Sequence, residues 1–254
     1  MKRYILSVLC LLAAAGCATA PKNSVQPAAA AVEPNATDNG TFDEFEKELS
    51  AQQIVIADPI EPFNRLMFGM NDVLYFWVLK PTAQGYKAVI PEPGRVGIRN
   101  VFQNITTPVR LVNCALQGKF DSAGSEINRF AINTTWGVLG IWDPALDKCK
   151  IESADEDLGQ TLAVYGLDNG CYVVLPLFGP SSLRDTGGMV GDMFLNPTYY
   201  IEDSKARTGV SVVNVVNKTS FRIGEYEAFK AAAVDPYIGM REAYIQYRQK
   251  QVEK

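Results

Sequence analysis

The sequence predicts a mainly α-helical body, a compact bundle with one short extended or hairpin segment, behind an exported and disordered N-terminal tether. Three observations carry this. Apolar residues recur at helical spacing over residues 62–79, between Pro62 and Pro81. Helix-boundary signals follow at Ser153–Glu156, Gly166 and Asp235–Pro236. Residues 18–41 are rich in Ala, Pro, Asn and Thr and carry no period at all.

Residues 1–16 read as an export signal. Lys2 and Arg3 open it, an apolar run over 4–15 follows, and Ala14, Ala15 and Gly16 precede Cys17. The run is too short to span a bilayer. In the lipoprotein reading Cys17 becomes the acylated N-terminus, and each buried methylene of its chains adds about 0.8 kcal/mol of membrane affinity. Ala18-Thr19-Ala20 is a competing cleavage site that would give plain secretion; both readings export the chain. Ala18 is not the Asp that typically retains lipoproteins in the inner membrane, so the expected address is an outer membrane. Residues 17–41 form the lipidated start and a tether with a reach on the order of 25–30 Å. Residues 42–56 are a short amphipathic helix or linker, with Phe42, Phe45 and Leu49 on one side. Residues 57–254 are the folded body.

Composition excludes several function classes. Of 254 residues 47% are hydrophobic and 20% charged, enough for one sizeable core. Net charge is −4; losing Lys2 and Arg3 with the signal leaves −6, 22 basic against 28 acidic residues. No block of five basic residues exists, which argues against nucleic acid and against adsorption to anionic lipid by charge. Histidine is absent, which removes His-dependent nucleophilic and acid–base schemes and His-ligated metals. Of five cysteines, Cys10 lies in the signal and Cys17 is the anchor. Cys149 and Cys171 flank a compact segment and are the expected disulfide; Cys114, in an apolar helical pattern, is expected to be a buried free thiol. Three scattered cysteines make no zinc site, and no metal or cofactor is expected.

The 62–79 helix is apolar nearly all round, with Asn64, Arg65, Asn71 and Asp72 on one narrow arc and Phe68 and Tyr75 between them. Such a seam needs partners or water. Either Arg65 and Asp72 pair within a core, or the seam lines a water-filled passage. Helices are expected near 93–103, 106–117 and 119–134. In the last, Phe120, Ala123, Ile127, Phe130 and Ala131 share the face expected to pack inward, and Asp121, Ser122, Glu126 and Arg129 the face expected outward. Ser153 to Glu156 reads as a capping box opening a helix that Gly166 stops. Asp168-Asn169-Gly170 is a turn, and Cys171–Leu175 an extended segment. The run through Tyr172, Val174, Leu175 and Phe178 is either core or a flap facing lipid or a partner. Residues 205–233 fit a long helix better than a strand, despite their valines. Tyr237, Met240, Tyr244 and Tyr247 form a stripe along a last helix. Asp185 and Asp192 near Gly187 and Gly188 could mark an active-site loop, but a helix-capping turn is the simpler account. G-x-S-x-G, a P-loop and H-E-x-x-H are absent, so no enzyme activity is expected.

Residues 58–65, then Phe68 and 70–72, resemble the opening signature of the VacJ/MlaA lipoproteins. More of the pattern follows in order: 95–102, Pro108, 113–118, 129–134, Gly137, Gly140, 156–162, Tyr165-Gly166, Leu175-Pro176, 179–181, Arg184-Asp185, 235–237 and 241–244. The resemblance spans about residues 57–248. It implies a ring-like helical lipoprotein in the inner leaflet of the outer membrane, bound to a trimeric porin and containing an amphipathic channel. It also implies a function: taking mislocalised glycerophospholipids from the outer leaflet and passing them to a periplasmic carrier, MlaC, with no bond broken. On that reading Asn64, Arg65, Asn71 and Asp72 lie along or support the headgroup path, and Phe68 and Tyr75 narrow it. Tyr172, Val174, Leu175 and Phe178 form an apolar flap beside it. The alternative is a non-transporting envelope lipoprotein that scaffolds porins or peptidoglycan.

Overall fold

The computed structural model describes residues 57–253. The expected signal, Cys17, the tether and the 42–56 helix lie outside the described residues. Helices dominate the described body: α1 (Glu61–Leu74), α2 (Lys80–Val89), α3 (Glu92–Ile105), α4 (Thr107–Leu116), α5 (Phe120–Thr135), α6 (Pro144–Asp147), α7 (Leu158–Val164), α8 (Leu183–Leu195), α9 (Ser204–Phe221), α10 (Glu225–Ala232) and α11 (Pro236–Val252). One antiparallel hairpin, β1 (Tyr172–Leu175) with β2 (Gly179–Ser182), pairs Tyr172 with Ser182 and Leu175 with Gly179.

Pro62 sits in the first turn of α1, where no N–H is needed. Pro81 does not end the helix, contrary to the sequence expectation. A π-turn at Tyr75–Leu79 joins α1 to α2, and the Lys80 N–H reaches back five residues to the Tyr75 carbonyl. Widening the turn there accommodates a residue that lacks the usual donor. The helix stops at Ile90, extended ahead of Pro91. Helices α3, α4 and α5 lie close to their expected ranges. The 205–233 region is helical, as expected, but breaks at Gly224, whose φ of 99° starts α10. Asp235 caps α11 by accepting from the Tyr237 and Ile238 N–H groups, at 2.9 and 3.3 Å.

The polarity of α5 follows the expectation at Asp121, which is exposed, and at Ala123, which is buried, and reverses it at its large apolar and remaining charged residues. Glu126 is 0% exposed and Phe120 73%. Arg129 and Asn133 are buried with Glu126, while Ile127 and Phe130 are exposed. The reason is the segment after α6, which has no ladder of its own and needs polar partners. Glu126 accepts from the Ser153 hydroxyl (3.1 Å) and the Ala154 N–H (2.7 Å) and ion-pairs with Arg110 at 2.8 Å. Arg129 donates to Asp143 at 2.7 Å and to the Ile151 carbonyl, and Asn133 donates to Asp143 at 2.8 Å. Ser153 is therefore no helix cap. Glu156 is taken by Lys119, and Asp157 caps α7 through the Gln160 N–H, at 2.8 Å.

The same inversion recurs in α9, where Asn217 and Ser220 are buried while Val212, Val213 and Val215 are exposed. Among the described residues, buried polar side chains outnumber buried apolar ones. The three tryptophans, Trp77, Trp136 and Trp142, are 80%, 73% and 61% exposed. No helix among the described residues is long and apolar enough to cross a membrane. Among the described residues one apolar cluster of the ordinary kind exists: Tyr172, Val174 and Tyr237 are buried together, with Met67, Phe68, Ile238 and Tyr244 against them.

Candidate functional site

The first helix and the hairpin are joined by two asparagines. The Asn64 amide donates to the Tyr172 carbonyl (2.9 Å) and accepts from the Val174 N–H (2.9 Å). Two helical turns on, the Asn71 amide donates to the Leu175 carbonyl (2.9 Å) and accepts from the Leu177 N–H (2.8 Å). Each amide thus meets the C=O of one residue and the N–H of the next but one, as a neighbouring strand would. The spacings match: seven helical residues rise about 10.5 Å, and three strand residues about 10 Å. The free edge of β1 is covered this way, and a hairpin of four-residue strands is held in place.

Beside this brace α1, the hairpin, α10 and α11 enclose a cleft. Its narrower part holds about 190 Å³, between Phe68, Asn71 and Tyr75 on one side and Tyr172, Val174 and Phe178 on the other. Its wider part holds about 540 Å³ and shares Tyr75, Leu79, Phe178, Tyr226 and Met240 with the first. Lys218, Arg222 and Glu225 stand at this wider end. The cleft is therefore apolar along its length and charged at one mouth.

Most charges around the apolar part are neutralised in pairs. Lys230 binds both Asp72 oxygens, at 2.9 and 2.8 Å, and the Tyr226 hydroxyl donates to Asp72 at 2.9 Å. Lys80 pairs with Glu227 at 2.8 Å, and the Tyr75 hydroxyl donates to Glu227 at 3.0 Å. Burial first, and then Glu227, pushes the Tyr75 phenol up to about 12. Burial, and then Asp72, raises that of Tyr226. Both remain neutral donors at neutral pH. Desolvation opposes ionisation of Glu227, but hydrogen bonds from Lys80, a backbone N–H and Tyr75, with the Lys80 charge, together outweigh it and hold that carboxyl at about 2.

Of the residues expected to line a headgroup path, Phe68, Asn71 and Tyr75 reach the cleft wall. Asn64 is wholly buried beneath it. Arg65 faces the other flank, with Glu61 at 2.7 Å, Asp235 at 2.9 Å and the Tyr237 ring 4.5 Å away. It does not pair with Asp72, so the core-pair alternative is incorrect. Of the expected flap, Tyr172, Val174 and Phe178 line the cleft; Leu175 is held through its carbonyl by Asn71 and is absent from the wall. Leu177, within the 172–178 run expected as the flap, also lines the cleft; sequence reasoning missed Leu79 and Tyr226. It also missed the charged mouth, because nothing in the local pattern tells which turn of α9 faces α1.

Two further expectations resolve here. Cys114, Cys149 and Cys171 are all free. The expected Cys149–Cys171 bridge is not formed: Cys149 follows α6, which packs on α5, whereas Cys171 leads into β1, which packs on α1 and β2. Cys114 is the buried thiol expected, and burial raises its pKa to about 11. Asp185 and Asp192 form no active-site loop. The Asp185 N–H is accepted by the Ser182 hydroxyl at the start of α8 (3.1 Å). Arg248 joins Asp185 to Asp157 at 2.9 and 2.6 Å, and the Tyr244 hydroxyl donates to Asp185 at 2.5 Å. Gly159 makes room for this network, since a Cβ there would lie 2.5 Å from Asp185 Oδ1. Asp192 accepts from Asn113 and from the Leu158 N–H. Desolvation works against the Asp185 charge, but hydrogen bonds from Arg248 and Tyr244 hold its pKa at about 2.

Residues 56–251 match the family model described as "MlaA lipoprotein". An uncharacterized protein of Rickettsia felis is 33% identical over 199 residues, 78% of this chain and 79% of its own length. The intermembrane phospholipid transport system lipoprotein MlaA of Escherichia coli K12 is 32% identical over 193 residues, covering 75% of this chain and 76% of that protein. A solved structure, described as the structural basis for maintenance of bacterial outer membrane lipid asymmetry, superimposes with a TM-score of 0.65. It is 32% identical and covers 77% of this chain and 99% of its own.

Proposed function

The chain belongs to the MlaA lipoprotein family, and on that footing we propose that it draws mislocalised glycerophospholipids out of the outer leaflet of an outer membrane. It hands them to a periplasmic carrier of the MlaC type and so maintains lipid asymmetry. The observation that carries this reading is an exposed apolar surface on a body that also holds an apolar cleft charged at one mouth. Exposed Trp77, Phe120, Phe130 and Trp136 would cost free energy in water, at about 25 cal/mol per Å² of apolar surface. In hydrocarbon that cost disappears, and tryptophan is favoured where tails meet headgroups. Acyl chains on Cys17 hold the body on the periplasmic side, in the inner leaflet, and a trimeric porin partner sets its height. Lipid tails lie along Phe68, Leu79, Val174 and Phe178 while the headgroup follows the wetter, charged side. The charged mouth gives the headgroup polar partners while the tails stay on the apolar wall, which lowers the cost of taking the lipid out of the leaflet. No covalent step is involved.

Deleting the gene and labelling intact cells with a membrane-impermeant amine reagent tests this. The expected result is more aminophospholipid in the outer leaflet, reversed by the wild-type gene and not by a Val174→Trp variant that fills the cleft. Normal labelling with disturbed porin assembly would instead identify a structural scaffold.

A further inference from the structure

We propose that Lys218, Arg222 and Glu225, grouped around the wide mouth of the cleft, form a site for a zwitterionic phospholipid headgroup, the two cations taking the phosphodiester and the carboxylate the ammonium. The inference rests on the transport reading and adds to it the chemical class of lipid preferred.

Behind the cleft wall the charges are spent on one another: Asp72, which accepts from the Tyr226 hydroxyl, on Lys230, and Glu227, which accepts from the Tyr75 hydroxyl, on Lys80. Among the described residues Lys218, Arg222 and Glu225 take part in no ion pair, although all three border the same 540 Å³ space. Helix ends favour a cation at the last turn of α9 and an acid at the first turn of α10. That explains the charge types but not why opposite charges converge on one chamber without pairing. Lys218 and Arg222 lie four residues apart, a spacing at which like charges repel on a helix and an anion between them relieves the repulsion. Lys218 is open to solvent and yet crowded by protein: the crowding lowers its pKa, and the Arg222 charge lowers it further. A side chain that is both open and crowded lines a concavity. The chamber lies within the range of about 300–1,000 Å³ usual for small-molecule sites. Its remaining walls, Tyr226, Phe229 and Phe178, lead directly to the apolar part, where the first methylenes would run.

The test is equilibrium binding of radiolabelled short-chain lipids to the full-length protein purified in neutral detergent. The probes are dihexanoylphosphatidylethanolamine, dihexanoylphosphatidylglycerol and the phosphate-free dihexanoylglycerol. Wild type is expected to bind the ethanolamine lipid most tightly and dihexanoylglycerol least. K218Q/R222Q should lose about tenfold or more in affinity for both phospholipids, the scale of lost charge-assisted hydrogen bonds, with dihexanoylglycerol unchanged. K218R/R222K should retain binding. E225Q should erase the preference for ethanolamine over glycerol headgroups, and it decides the matter if the double variant fails to fold. Unchanged ethanolamine-lipid binding by a folded K218Q/R222Q, or an unchanged preference in E225Q, overturns the site. Equal binding of all three probes by wild type overturns the site alone and leaves transport standing. Binding of none overturns the transport reading with it.

Discussion

Helix α5 and the hairpin cluster obey the same physics with opposite results. Around the hairpin, Tyr172, Val174 and Tyr237 are buried in an ordinary apolar cluster. In α5 the large apolar residues Phe120, Ile127 and Phe130 are outside, and Glu126, Arg129 and Asn133 are inside. Polar side chains lie inside α5 because an irregular segment beside it offers donors and acceptors that must be met. Apolar residues lie outside because, in the proposed setting, the outside is not water. The difference teaches that amphipathicity locates a helix's two faces but not which solvent each one meets.

The comparison can be broken most forcefully at its two centres. Tyr172→Ala should cost about 3–5 kcal/mol, as truncation of a fully buried aromatic does. Glu126→Ala should cost a similar ~3–5 kcal/mol, because Arg110 is left without its buried partner. Thermal unfolding in detergent checks both. If Glu126→Ala proved neutral, α5 would not be inverted. Asn71→Leu comes next: it strands the Leu175 carbonyl and the Leu177 N–H and should cost about 1–3 kcal/mol. It should also speed proteolysis at the turn over residues 176–178.

Acid provides a further probe. The Asp185 pKa is depressed to about 2 in the fold, so its contribution is fully present above the unfolded value of about 4. That contribution should fade as pH falls from about 4 toward 2, and an Asp185→Asn variant should flatten this part of the melting-temperature profile. Phe130→Ser on the outer face of α5 should have the smallest effect on melting, within about 0.5 kcal/mol. It should nonetheless weaken partitioning into phospholipid vesicles. A large loss of stability with unchanged partitioning would place Phe130 in a protein core.

Much of the architecture was legible. The start of α11 follows from Asp235–Pro236, and α3, α4 and α5 lie close to the ranges expected from local sequence. Phe68, Asn71, Tyr75, Tyr172, Val174 and Phe178 were read as neighbours of a passage, and they share one cleft. Arg65 and Asp72 are not separable from them by spacing, because the partners that draw them away, Asp235 for Arg65 and Tyr226 and Lys230 for Asp72, lie more than 150 residues on, in α10 and around its junction with α11.

By itself the sequence determined the first turns of α1 and α11, the approximate spans of α3, α4 and α5, that an extended segment precedes α8, and which side chains are polar along each stripe. Those are properties of backbone geometry and of residues within a few positions of each other. Only the tertiary structure decided that Pro81 is absorbed by a π-turn, that Cys149 and Cys171 stay apart, and that α5 turns its charges inward. It also decided that two asparagines take the place of a missing strand. These outcomes depend on which unpaired donors and acceptors distant segments bring together, and burial makes each such group meet a partner wherever the chain supplies one.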